Sequence, residues 1–511
     1  MKIKTRIINN LIILSLLIFY GCGKDYLDVL PDDRITSVSF WQSENDVEFA
    51  INGIYSVLRD RGIYGSGPTL DAITPDAYQW AHWNGKEQQI GNGSNTTGSD
   101  GLTMERWEKC YTIINRVNYF LANFERVELT KDASAMYLGE AHFLRGIAYA
   151  LLAETYGGAP ILESPITPEE ARNVSRASLQ ETWDQAVADY DVAIENLQIE
   201  APQPGKATKG AALGLKMRAY LYQNKYPEVL NVIEQIDALN KYSLFPSYEG
   251  LFQLENENNV GVLFDIQYIG GEKGQGNFFA WLGLPVTVAA SGASDPAPTQ
   301  NIVDAYEMID GSTVDLDNPY VGRDPRLDFT ILRPGALFEG KLYPDVVNNH
   351  TGQRVGFGLR KNVGENIPVT TQRMSPLNFI VLRYADVLLT KAEALIETNQ
   401  NIDEAIALIN RIRTERVDVK ITPLRMGLSQ SEARNKLRFE RRIEFFGEGI
   451  NWADIKRWNI GPDIYPVEVR AADGSLIETK FPQGYTEKYN LLPVPDSERS
   501  LNPNLEQNPG W

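Results

Sequence analysis

From Trp107 onward apolar side chains recur every third or fourth position. Trp107, Cys110, Tyr111, Ile114, Val117, Leu121 and Phe124 fall on one side of a 3.6-residue helix. A second run, Ala141, Leu144, Ala148, Leu151, Leu152 and Thr155, keeps that spacing and ends at Gly157-Gly158-Ala159-Pro160. Glycine leaves the helical region freely and proline cannot continue it, so this run predicts a helix stop. The same pattern predicts helices over Leu179 to Leu197 and through Leu213, Met217, Tyr220 and Leu221. A turn at Asn224 to Tyr226 then leads into Val229, Ile233 and Ile236. Farther on, Leu388, Ala392 and Leu395 face inward, Asn399 to Ile402 turn, and Ala405, Leu408, Ile409 and Ile412 face back. Paired helices of roughly 34 residues with small residues at the contact match degenerate tetratricopeptide repeats, which bury a continuous core only when stacked. The expected fold class is all-α, with repeat helices at 105–240 and 383–459.

Periodicity begins near Ser43 and fails between Lys241 and Phe379. That stretch is broken by Gly270-Gly271, Gly274, Gly276, Pro285, Pro296, Pro298, Pro319, Pro325, Pro334 and Pro344, and holds short strand-like runs such as Val260 to Ile269. It reads as a large irregular insert of loops and short strands, 241–380, within a single domain, 43–511. Strands do not alternate with helices, which disfavours a parallel-sheet enzyme fold.

The first residues follow a different pattern. Lys2, Lys4 and Arg6 precede the apolar run Leu11 to Tyr20, and Gly21-Cys22 follows. A basic start, about ten apolar residues and a small residue before cysteine form an export signal, too short to span a bilayer. Residues 1–21 are predicted to be a lipoprotein signal peptide and Cys22 the lipid-carrying residue. Phe19 and Tyr20 depart from the usual lipobox, which bears on the cut more than on the class; an ordinary secretory peptide is the alternative. Residues 22–42 then form a tether, broken by Pro31, Asp32 and Asp33.

Losing that leader would move the formal net charge from −18 to −21. So acidic a chain repels phosphate backbones, which argues against nucleic acid as a partner. Only Cys110 would remain as a free thiol, so stability must come from core burial.

Candidate chemistry is sparse. Glu440 and Glu444 lie one turn apart with Asp454 beyond, and paired carboxylates are what glycoside hydrolysis uses. Arg438, Arg441, Arg442, Lys456 and Arg457 interleave with them, a pattern that favours ionised, paired acids over a general acid with a raised pKa. The three histidines, His82, His142 and His350, are scattered, and no cysteine spacing supports zinc. Asp315, Asp317 and Asn318 lack the spacing of a calcium loop and read as a solvated turn. Gly91 to Gly101 is glycine-rich without a phosphate-loop lysine and reads as a mobile surface loop.

Several segments resemble the SusD/RagB family of outer-membrane lipoproteins from Bacteroidetes. They are Cys22-Gly23-Lys24-Asp25-Tyr26-Leu27-Asp28, Glu140 to Arg145 with Tyr156 to Pro160, Arg323-Asp324-Pro325-Arg326-Leu327, and Arg383-Tyr384-Ala385-Asp386 with Lys391 to Ala394. The longest is Arg438 to Gly449 with Trp452 to Trp458, and Asn502 to Trp511 closes the set. The resemblance implies a non-catalytic surface lipoprotein without cofactor or metal. It would bind an oligosaccharide and deliver it to a SusC-like TonB-dependent transporter. A peptide- or glycoprotein-binding subunit of such a transporter and an outer-membrane glycosidase are the alternatives. Similar proteins place an aromatic arc in regions matching Asp71 to Asn84 and the later insert. There Trp80, Trp83 and Trp281 are expected to stack on sugar faces. Asp76 and Asn84 would hold hydroxyls, and Phe278 or Phe279 would flank them. Packing beneath long loops is the competing role for these rings.

Overall fold

The computed structural model describes residues 40–80, 85–271, 275–285, 292–343, 355–365, 367 and 374–511. The predicted leader, Cys22 and most of the tether lie outside these residues. Ten helices carry the scaffold: α1 (Glu44–Tyr55), α2 (Leu102–Leu121), α3 (Lys131–Tyr156), α4 (Leu179–Asn196), α5 (Lys209–Tyr222), α6 (Tyr226–Ala238), α7 (Tyr384–Glu397), α8 (Ile402–Thr414), α9 (Gln430–Phe445) and α10 (Asn451–Arg457). Local chemistry sets their ends. Thr130 and Thr208 accept the first free amides of α3 and α5, while Ser178 with Glu181 and Ser429 with Glu432 form capping boxes on α4 and α9. Gly157 closes α3 at φ 82°, and Asn224, Asn399 and Asn401 adopt left-handed conformations in the tight turns of α5–α6 and α7–α8.

Consecutive helices pack as antiparallel neighbours from α2 to α6, and α6 meets α7 across the insert. Alanines 141, 148, 186, 193, 211, 392 and 405 are fully buried at these contacts. At Gly146 of α3, a Cβ would lie 2.8 Å from the Tyr190 ring of α4, so a larger residue would push the two helices apart. The main core runs through α1 to α6, and a second core joins α7, α8 and α9. Cys110 sits fully inside the first, where burial pushes its thiol up to about 12 and leaves it unreactive.

The insert is more ordered than its punctuation suggests. Among the described residues, ten short strands form five antiparallel pairs: β1 (Ala77–Tyr78) with β3 (Ala297–Pro298), β2 (Val262–Ile266) with β8 (Phe379–Arg383), β4 (Ile331–Leu332) with β7 (Gly358–Leu359), β5 (Leu337–Phe338) with β6 (Lys341–Leu342), and β9 (Val467–Arg470) with β10 (Leu476–Lys480). The β2–β8 ribbon ties the root of the insert and lies on α5, where Leu382 fills the space left by Gly214. β9–β10 lies outside the insert, beyond the repeat helices.

The segment expected to be a mobile loop is instead tied to the body. Glu87–Gly91 forms a helical turn, Lys86 pairs with Asp100, and the Thr97 hydroxyl donates to Asp496 at 2.6 Å. Glycine there gives room for close approach, since a Cβ on Gly101 would meet the Gly85 carbonyl at 2.3 Å. Asp315 behaves as a turn residue, accepting from the Asp317 amide and the Asn318 side chain.

Candidate ligand-binding site

The β1–β3 pairing brings two segments two hundred residues apart into one place. Ala77 faces Pro298 and Tyr78 faces Ala297, and the Thr299 amide donates to the Asp76 carbonyl at 3.0 Å. Trp80 follows directly. Its indole Nε1 donates to the Ala293 carbonyl at 2.8 Å, and its amide donates to Asp295 Oδ1 at 3.1 Å. The Ala293 amide in turn donates to the Trp281 carbonyl at 3.1 Å, so Ala293 links the two tryptophans. Trp80, Tyr78, Leu282, Ala297 and Val355 form an apolar base against which Trp281 packs.

Trp281 is half-buried, and Phe278 is 46% exposed with its ring 6.4 Å from Trp281 in an edge-on arrangement. These two rings offer apolar surface to solvent at low rotamer cost. Trp83, Asn84 and His82 lie outside the described residues, immediately after Trp80.

Three expected ligand contacts have other work. Trp80 is 2% exposed and its one donor is satisfied, so it supports Trp281 and presents no stacking face. Phe279 turns inward onto Phe379 at 4.9 Å, because adjacent residues on a helical turn point about 100° apart. Asp76 is fully buried. Arg442 grips both of its oxygens and the Asn451 side chain donates to Oδ2 at 2.7 Å, so Asp76 anchors the strand to α9 and α10 and cannot receive a hydroxyl at the aromatic patch.

The paired carboxylates of α9 are also structural. Glu444 Oε1 accepts from Arg383 and Arg416, each at 2.6 Å, and Oε2 accepts from Arg326 at 2.9 Å and Arg416 at 3.1 Å. Glu440 is held by Arg326 at 2.7 Å and Arg413 at 2.9 Å. Against the opposing penalty of burial, the surrounding guanidinium groups keep Glu444 well below the usual carboxylate range, the reverse of a general acid's requirement. Ion pairing was legible in the sequence but the partners were not. They come from Arg326, which opens the short helix Arg326–Thr330 of the insert, Arg383 on β8, and Arg413 and Arg416 at the end of α8. Of the neighbouring cations, Arg441 and Arg457 do pair with Asp454, as the interleaving suggests, but they reach no glutamate of α9: Arg441 also holds Asp386, Arg457 holds Glu393, and Lys456 goes to Glu154. The signal that could have found these partners is an arginine set among apolar residues, as in Arg326-Leu327 and Leu382-Arg383. His142 accepts or donates within the body, 2.7 Å from Asp189, and His350 lies outside the described residues.

Two family profiles match the chain: the SusD family over residues 251–511, and a family described as starch-binding associating with outer membrane over residues 25–221. Two SusD-like proteins from Formosa agariphila, P2 and P25, are 27% and 25% identical to it, each alignment covering 98% of both chains. A solved SusD-like carbohydrate binding protein from Bacteroides fragilis superposes with a TM-score of 0.81 at 26% identity, over 92% of this chain and 100% of that one. A second SusD-like protein from the same species gives a TM-score of 0.81 at 25% identity, over 94% and 100%. A laminarin binding SusD-like protein shares the fold, with a TM-score of 0.71 at 21% identity over 92% and 100%. With one profile spanning half the chain and the helical repeat scaffold matching, this protein belongs to the SusD family.

Proposed function

We propose that the protein captures a nutrient oligosaccharide at the cell surface without cleaving it and passes it to a SusC-like TonB-dependent transporter. Lipid on Cys22 would hold the folded body at the outer membrane. The observation that carries the reading is the pair Phe278 and Trp281, raised to solvent on the base that Trp80 and Ala293 provide. Flat rings of this kind match the C–H faces of sugar rings. The names of the relatives support the ligand class: one solved relative is a carbohydrate binding protein and another a laminarin binding one. Trp83 and Asn84, next in the chain after this patch, are proposed to complete it. Among the described residues no helix is long and apolar enough to cross a membrane.

The patch is tested by Trp281→Ala with glycan-affinity electrophoresis and calorimetry. Losing one engaged platform is expected to weaken binding by roughly 5- to 150-fold, equivalent to about 1 to 3 kcal/mol, with the melting temperature nearly unchanged. Full affinity in Trp281→Ala would remove the patch from the site. The transporter partnership is tested by mild detergent extraction, which is expected to bring down a β-barrel of far larger mass. Elution of the protein alone, with ligand present, would refute it.

A further inference from the structure

On another face, a cleft of about 600 Å³ opens between α9, the turn after α10 and the start of β9. That volume suits a ligand of several hundred daltons. It shares no lining residue with the Phe278–Trp281 patch. Four of its six charged lining residues are paired with one another. Arg442 is bound to Asp76 and Arg470 to Glu468. The exceptions are Arg438 and the exposed Asp304.

Arg438 is unusual for this helix. Arginines recur every fourth residue along α9, and Arg434 is matched by Glu397 as Arg442 is by Asp76. Arg438, between them, has no carboxylate within ion-pair distance among the described residues, although burial favours a partner. Its Nε is shut from solvent without an acceptor. Its guanidinium lies on the Trp458 ring, 5.0 Å from the centroid, and the Trp458 indole is itself fixed by a 2.8 Å donation to Glu393. The carboxylates that act on Arg438 from a distance, Glu393 and Glu397, are engaged by Arg457 and Arg434 and leave it without a hydrogen-bonded partner. The stacked guanidinium lines the cleft, and its terminal Nη groups, which donate to nothing among the described residues, are pre-organised for an oxyanion.

We propose that this cleft binds an acidic sugar residue. The carboxylate or sulfate ester is gripped by Arg438 on its Trp458 shelf, and ring hydroxyls meet Asp304 and Gln300 at the rim. Gln300 already donates to Asp304 Oδ1 at 2.6 Å, leaving its carbonyl oxygen and Asp304 Oδ2 for the ligand. This inference rests on the glycan reading above and extends it to a charged component and a second contact point.

The test is calorimetric titration of the full-length protein with three probes: tri-galacturonate, a sulfated galactan trisaccharide and neutral galactotriose. Wild type is expected to prefer one of the acidic probes, and which one it prefers tells carboxylate from sulfate. Arg438→Gln is expected to weaken that probe by about 10- to 100-fold, the loss typical of a charged hydrogen bond. Trp281→Ala should leave the Arg438-dependent part intact. The melting temperature of Arg438→Gln should stay near that of wild type, since Arg438 gives up no hydrogen bond or ion pair among the described residues. Should it fall, Arg438→Lys, which keeps the charge, must restore part of the affinity. Acidic probes bound no better than galactotriose, or equally well by Arg438→Gln, would overturn the proposal. If neutral binding and its dependence on Trp281 survive that result, the patch reading stands without this one.

Discussion

Glu444→Gln is expected to lower the stability of the folded body by about 3–5 kcal/mol, read as a fall in the urea midpoint at pH 7. Three guanidinium groups converge on that carboxylate, those of Arg326, Arg383 and Arg416, and all are essentially shut from water. The amide keeps the shape and one acceptor but removes the charge that compensates them. Glu440 and Glu448 still serve Arg326 and Arg383, whereas Arg416 has only Glu444 as a carboxylate partner within ion-pair distance among the described residues. The pH dependence has a fixed sign. Because Glu444 is held well below its ordinary value, its contribution is fully present above the unfolded carboxylate pKa near ~4.3 and is lost as pH falls toward the folded value. Wild type should therefore lose stability on acidification below about pH 4 more steeply than the variant. An unchanged midpoint would mean that water or rearranged acids compensate the cluster.

Cys22→Ala is expected to move the protein almost entirely from the membrane fraction to the soluble one. Membrane affinity of acyl chains is additive: each buried methylene contributes about 0.8 kcal/mol, one chain binds marginally, and firm attachment takes two or more. A lipoprotein anchor supplies them all at one residue, so its loss is all or none. No helix among the described residues is long and apolar enough to cross a membrane. Detergent-free fractionation checks this. Cys22→Ala that stays with the membrane, in cells lacking the transporter, would show another attachment.

The repeat scaffold was readable because its determinants are local. The stop at Gly157, the capped starts at Ser178 and Thr208, and the asparagine turns at Asn224 and Asn399 each need only a few neighbouring residues. Helix limits from periodicity accordingly fell close to those observed, as for α4, expected over Leu179 to Leu197 and found at Leu179–Asn196. Strand β8 was hidden. All five of its residues are buried, so it shows no alternation, and its partner β2 is more than a hundred residues away. The same limit applies to the rings. Phe278 and Phe279 are neighbours of one type, and only the packing of Phe379 decides which of them turns inward.

What the sequence determined by itself is therefore the all-α repeat class and the presence of a paired-charge helix at α9, whereas the two aromatic segments were named together only through the family resemblance. The tertiary structure alone decided that Trp80 is a support and Trp281 a half-buried ring beside the exposed Phe278, that Asp76 is spent on Arg442, and that Arg438 has no carboxylate within ion-pair distance among the described residues. The physical reason is range. Helix starts, stops and periodic faces depend on residues within a turn or two, whereas burial and charge pairing depend on which distant segments come within a few ångströms. Spacing along the chain carries no record of that.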